Sequence, residues 1–308
     1  MTDPPGLSEF RLRRLAKPEE MRAAEELQSA AWGLVDEPPV PAPLQRAVQD
    51  NGGLVVGAFV DIYLAGFSLG FLGWDGATLY LYSHMTAVRP EYQNHGVGRR
   101  LKWFQREEVL GQGLREIRWT FDPLRSRNAM LNVRRLGGVP DRYLVDYYGR
   151  MGSKENEELE SDRLHLLWRL DDPTVAARSE GKLPSAEEEL ARYRSSVPVV
   201  ETEVGEEGLR TPAAVSEPSE PLVHLEIPFD LAAVRQHAPD RVRPWRHAVR
   251  DGFRAAFDLG YRVDGFAVVP VEHERRSFYF LSASDGRGPP AGTGPARAPD
   301  KRDNPARP

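Results

Sequence analysis

A run of β-branched and aromatic residues, 79–88, passes without a break into Arg89-Pro90-Glu91-Tyr92-Gln93-Asn94-His95-Gly96-Val97-Gly98-Arg99-Arg100, and an apolar-periodic helix leaves it. Strand, glycine turn and helix in that order constrain the chain strongly. Gly96 and Gly98 let the backbone bend and approach a ligand closely, and the first amides of the helix have no intrahelical partners. Such a helix start holds phosphate or another anion. The charges agree. The positive end of the helix dipole favours acids, yet Arg99, Arg100 and Lys102 stand there and no acid occurs between Glu91 and Glu107. A dinucleotide fingerprint needs a third glycine where Leu101 stands, and a P-loop needs Gly-Lys followed by Ser or Thr. Neither is present, and the pattern that remains is Gln-x-x-Gly-x-Gly.

Composition removes several function classes. With 308 residues the chain has room for about two domains. No apolar run approaches the length of a membrane span, and the first eight residues lack a basic-then-apolar signal, so a cytoplasmic protein with no membrane partner is expected. Zero cysteines exclude disulfides, thiolate metal sites and a cysteine nucleophile, and no metal site is expected. A net charge of -5 argues against nucleic acid as a partner.

The periodicities predict mixed α/β structure. Strands are expected at 10–15, 54–60, 63–69, 79–88, 116–121, 139–148 and 163–170, with helices opening at Pro18, over 44–48, from Val97, and over 128–136 with Ser126 as its cap. From 173 to 221 the chain turns acidic and proline-rich, as a linker does, with one short helix marked by the capping-box pair Ser185 and Glu188. Order returns over 222–283 as a small β-α-β-β unit, too small to be robust alone and expected to dock. Residues 1–8 and 284–308 read as disordered.

The strand, the Val-x-Pro-x-Tyr-Gln lead-in at 88–93 and the Gly-Val-Gly turn resemble the acyl-CoA-binding motif of the GCN5-related N-acetyltransferase (GNAT) superfamily, and the family order of elements covers roughly residues 9–172. The C-terminal extension resembles a poorly characterised bacterial subgroup. The resemblance implies a mixed, mostly antiparallel central sheet flanked by helices, with a splayed strand and helix start binding the pantetheine and pyrophosphate of coenzyme A. It implies cofactor contacts from Thr86, Val88, Gln93, Asn94, His95, Gly96, Val97, Gly98, Arg99 and Arg100, with the Val88 amide facing the oxyanion. Asn128, in Asn-Ala-Met-Leu-Asn, would touch the pantetheine arm.

Acyl transfer to an amine needs a base for the acceptor's proton and an acid for the departing thiolate. His84 occupies about the place of the family's usual Glu, and its ordinary pKa of about 6.5 suits a base. Strict alternation would put it on one face with Thr86 and Val88. The family's usual tyrosine acid is missing, because Arg134 and Arg135 stand in that neighbourhood. Among Tyr143, Tyr147 and Tyr148 on the next expected strand, Tyr148 is the candidate. The expected function is N-acyl transfer to a small amine or amino acid in a ternary complex, with acetyl-CoA as default donor. The alternatives are an amino-acid N-succinyltransferase using succinyl-CoA, a CoA-binding module with little catalysis, or a binder of another nucleotide. A homodimer is compatible with this reading.

Overall fold

The computed structural model describes residues 10–32, 38–149, 159–205 and 208–283; the segments 1–8 and 284–308 expected to be disordered lie outside them. The first sheet has seven strands: β1 (Arg11–Arg14), β2 (Leu54–Val60), β3 (Tyr63–Trp74), β4 (Leu79–Val88), β5 (Glu116–Phe121), β6 (Val139–Leu144) and β7 (Arg163–Arg169), in the order β1-β2-β3-β4-β5-β7-β6. Every pairing is antiparallel except β4 with β5, which the helix α3 (Val97–Gly111) joins as a crossover. The sheet is thus mixed and mostly antiparallel.

Each face is covered because the strands alternate. On one side α1 (Pro18–Trp32) buries Met21, Ala24 and Leu27 against Val55, Phe67 and Leu69, and α2 (Ala42–Asp50) packs beside it. On the other, Val97, Leu101 and Val109 of α3 meet Val56, Leu81 and Ile117. Helix α4 (Ser126–Ala129) continues as a π-helical turn over Met130–Arg135, and Trp168 of β7 donates its indole N–H to the Leu136 carbonyl at 2.8 Å.

Two boundaries differ from the sequence reading. Strand β6 ends at Leu144, so Tyr147 and Tyr148 lie in a turn and not on a strand. Asp146, at φ +45°, takes the chain off the sheet, and Ser161 secures the turn through bonds to Asp146 and to the Tyr148 amide. Helix α4 starts two residues early. Ser126 lies inside it and caps nothing, because its hydroxyl bonds Ser277 instead.

Within 173–221, read as a linker with one helix, the described residues form two helices and three strands. Helix α5 (Pro173–Ser179) and helix α6 (Ala186–Ser195) are followed by β8 (Val197–Pro198), β9 (Val200–Val204) and β10 (Arg210–Val215), and the capping box of Ser185 and Glu188 does open α6. Apolar residues are sparse here. Val199 and Val200 become core only through partners far along the chain, such as Val223, Leu225 and Trp245.

The C-terminal sheet has the order β12-β13-β11-β8, built from β11 (Leu222–Ile227), β12 (Tyr261–Val271) and β13 (Glu274–Ala283) with β8 at its edge. Two helices, α7 (Leu231–His237) and α8 (Val242–Asp258), lie between β11 and β12. The unit docks on the first sheet: Phe253 of α8 stacks on Tyr143 of β6 at 5.8 Å, within one continuous apolar core. Among the described residues no helix is long and apolar enough to cross a membrane.

Candidate functional site

Strands β4 and β5 pair only at Leu81↔Ile117 and Tyr82↔Arg118. Beyond those positions β4 stays tied to β3 as far as Val88, and β5 to β7 as far as Phe121. Each strand is therefore held from outside while the two part company, which opens a fork in the middle of the sheet. Arg89 donates its amide to the Ala65 carbonyl at 2.9 Å. Hydrogen-bonded and non-hydrogen-bonded pairs alternate along an antiparallel ladder, so the amides of Val88 and Thr86 turn away from β3 and into the fork.

The glycine turn closes the mouth of this fork. After a 3₁₀ turn at Pro90–Tyr92, Gln93 donates its side-chain amide to the Val88 carbonyl at 3.1 Å, and His95 Nδ1 lies 2.8 Å from the Gln93 carbonyl. Asn94 and Gly96 are left-handed, at φ +67° and +75°, where asparagine is tolerated and glycine is unstrained. Gly96 is the N-cap of α3 and brings no side-chain cap. The first helical bond runs from Arg100 N to Gly96 O, so the amides of Val97, Gly98 and Arg99 stand ahead of it as donors. A Cβ on Gly98 would lie 3.9 Å from Val88 Cγ2, which places the helix start at the end of β4. Arg99 is half-buried beside it; Arg100 donates to the Phe10 carbonyl at 2.8 Å. Lys102, grouped in sequence with these cations, points the other way.

Lys102 is buried beneath the fork. Its amine donates to Ser83 Oγ at 2.6 Å and to Gln105 Oε1 at 3.3 Å, and it lies 4.1 Å from the Trp119 ring centre. Ser83 and Trp119 are the first residues beyond the last paired positions. Burial lowers its pKa to about 7. Gln105 bonds Ser68, and Ser68 bonds Thr86, so a polar chain runs under β4.

His84 is skipped in the β3–β4 ladder, where Leu69 pairs with Met85 and Gly70 with Ser83. The resulting bulge shifts the phase of the strand. Ser83 and Thr86 face the α3 side, whereas Met85 and Ala87 pack on the α1 side. The expected grouping of His84 with Thr86 and Val88 on one face therefore does not hold. His84 instead stands beside Phe71 and Tyr82, at ring distances of 5.8 and 6.5 Å. Desolvation there pushes its pKa below the ordinary 6.5, so the imidazole is neutral at pH 7.

Tyr148 reaches the same region from its turn. Its hydroxyl is 3.1 Å from Thr120 Oγ1 on β5, its ring packs edge-on against Tyr147, and Arg163 lies over it at 5.2 Å. Between His84 and Tyr148 sits Tyr82, which sequence reasoning did not single out. Burial raises its phenol pKa well above the usual range, with Thr120 and Tyr148 as polar neighbours. Tyr143 is committed elsewhere, donating to Asp162 at 2.8 Å. Asn128 is half-buried in α4, its amide bonded to the Arg125 carbonyl.

A forked sheet with the amides of Thr86 and Val88 turned off the β3 ladder, a helix start without a side-chain cap at its mouth and a neutral imidazole on the same strand make up the candidate site. Residues 21–133 match the model of the Acetyltransferase (GNAT) family. Solved structures similar to it include the ribosomal-protein-S18-alanine N-acetyltransferase from Escherichia coli, at 17% identity over 53% of this chain and 95% of that one, TM-score 0.43. An N-acetyltransferase from Staphylococcus aureus Mu50 is 15% identical over 53% of this chain and 99% of its own, TM-score 0.43. The yncA protein of Salmonella typhimurium, solved with its cofactor acetyl-CoA, is 18% identical over 53% and 95%, TM-score 0.42. No curated protein matches the sequence.

Proposed function

We propose that the protein transfers an acyl group from an acyl-CoA to the primary amine of a small molecule or amino acid, by direct attack in a ternary complex. The observation that carries this reading is the fork: β4 and β5 separate after Tyr82 and Arg118, and the donor-rich start of α3 stands at its mouth, by Val88. The pyrophosphate takes the amides of residues 97–99, and Thr86 and Val88 bond the arm and the developing oxyanion. Asn128 contacts the arm from α4. His84 accepts the amine proton, directly or through a water, and Tyr148, its hydroxyl held by Thr120, gives a proton to the thiolate. Acetyl-CoA is the donor, and a cytoplasmic setting fits a chain without cysteines.

A second reading is N-succinyl transfer to an amino acid, and Lys102 favours it. Among the described residues no carboxylate pairs with its buried amine, and a carboxylate-tipped acyl chain entering the fork would supply one.

Release of free CoA thiol from acetyl-CoA and succinyl-CoA, with a panel of amines and amino acids, tests both readings. Acceptor-stimulated release supports transfer, and the preferred donor chooses between the two. Binding of acyl-CoA with no stimulation by any acceptor would make the protein a binding module. Displacement of the ligand by ATP or NAD would make it a nucleotide binder.

A further inference from the structure

We propose that the C-terminal unit is part of the acyl-CoA site, with Arg246 as a positioning residue that sets helix α4 against the fork. The proposal rests on acyl-CoA binding between β4 and β5. The loop from Asp122 to Ser126 connects the free end of β5 to α4, and three residues of the C-terminal unit grip it. Arg246 of α8 is 1% exposed and meets Asp122, itself 6% exposed, through two bonds of 2.7 and 3.1 Å. Tyr279 of β13 donates its buried hydroxyl to the Pro123 carbonyl at 3.0 Å. Ser277, on the same strand, shares a hydrogen bond of 2.8 Å with Ser126.

The grip continues into the helix. Asp122 Oδ1 also accepts the Leu124 amide, and its carbonyl accepts the Arg125 amide. The Arg125 carbonyl in turn accepts the amides of Asn128 and Ala129. A chain of bonded groups therefore runs from a guanidinium in α8 to the backbone of Asn128. Strand β12 supports the next segment by packing on the π-helical turn. Burial alone would raise the Asp122 carboxyl, but the facing Arg246 charge outweighs it and keeps the pair ionised. A planar fork bound to both carboxylate oxygens fixes orientation as well as distance, which a lysine ammonium does not.

The test measures CoA binding by calorimetry, and both Michaelis constants, on the full chain. Arg246→Lys is expected to weaken CoA about tenfold while leaving the acceptor KM unchanged, as displacement of a remote support does. Tyr279→Phe removes one hydroxyl and is expected to weaken CoA about threefold, which keeps the proposal testable if Arg246→Lys does not fold. Asn128→Ala should cost less in the Tyr279→Phe background than in the parent, because the loop is already displaced. Variants that lose thermal stability yet bind CoA like the parent, with additive effects, would show a unit that only stabilises and overturn the proposal. A parent chain that binds no CoA would sink the acyl-CoA reading and this inference with it.

Discussion

The two walls of the fork are built in different ways. The wall of β4 and α3 is local: strand, glycine turn and helix follow one another within 79–111, and the donors it leaves outside the ladder and the helix are mostly backbone amides. The wall of β5 and α4 is held from a distance, by Arg246, Ser277 and Tyr279, more than a hundred residues further on. A site can thus pair one wall that any chain with this motif reproduces with another that depends on what is docked behind it.

Substitutions on the local wall should act first on chemistry and binding. The largest effect is expected for His84→Ala, which should lower kcat by about a hundredfold, the usual scale for a lost general base. The parent's kcat/KM should fall only below pH 6.5, because desolvation lowers the imidazole pKa and the base is lost on protonation. That acid limb should vanish in the variant; an unchanged limb would remove His84 from the mechanism. Next, Gly96→Val forces a β-branched residue to φ +75° and should raise the Kd for CoA roughly tenfold, alongside a strain cost of about 1–3 kcal/mol that Tm would read.

Smaller effects test where the two walls meet. Lys102→Met should stabilise the protein by about 1–3 kcal/mol at pH 6, since replacing a buried, unpaired cation removes a desolvation cost. The folded pKa is about 7 and the unfolded one 10.5, so between those values the unfolded chain binds the extra proton and the parent gains stability as pH rises. The advantage of the variant should therefore shrink from pH 7 towards 10.5, as urea unfolding across pH would read; an advantage constant with pH would place the charge elsewhere. On the distant wall, Tyr279→Phe should cost about 1 kcal/mol of stability by leaving the Pro123 carbonyl unbonded. A loss of CoA affinity from Tyr279→Phe larger than that from Gly96→Val would reverse the comparison between the walls.

Much of this was legible in the amino-acid order. The strand at 79–88, the glycine turn, the start of α3 and the capping box at Ser185 follow from local rules of period and backbone freedom, and the structure has them at those positions. The C-terminal elements were visible for the same reason, since each carries its own periodicity. Segment 197–215 was not, because its few valines become buried only through residues such as Trp245 and Val223.

What the order of residues determined by itself is the glycine turn at the start of α3, a matter of φ angles and unpaired amides within ten residues. Tertiary structure alone decided the rest. The bulge at His84 comes from register against β3, the turn that carries Tyr148 is held by Asp146 and Ser161, and Lys102 faces the core because β4 and β5 part above it. Each depends on which groups meet across the sheet, and no local pattern records a partner supplied from elsewhere in the chain.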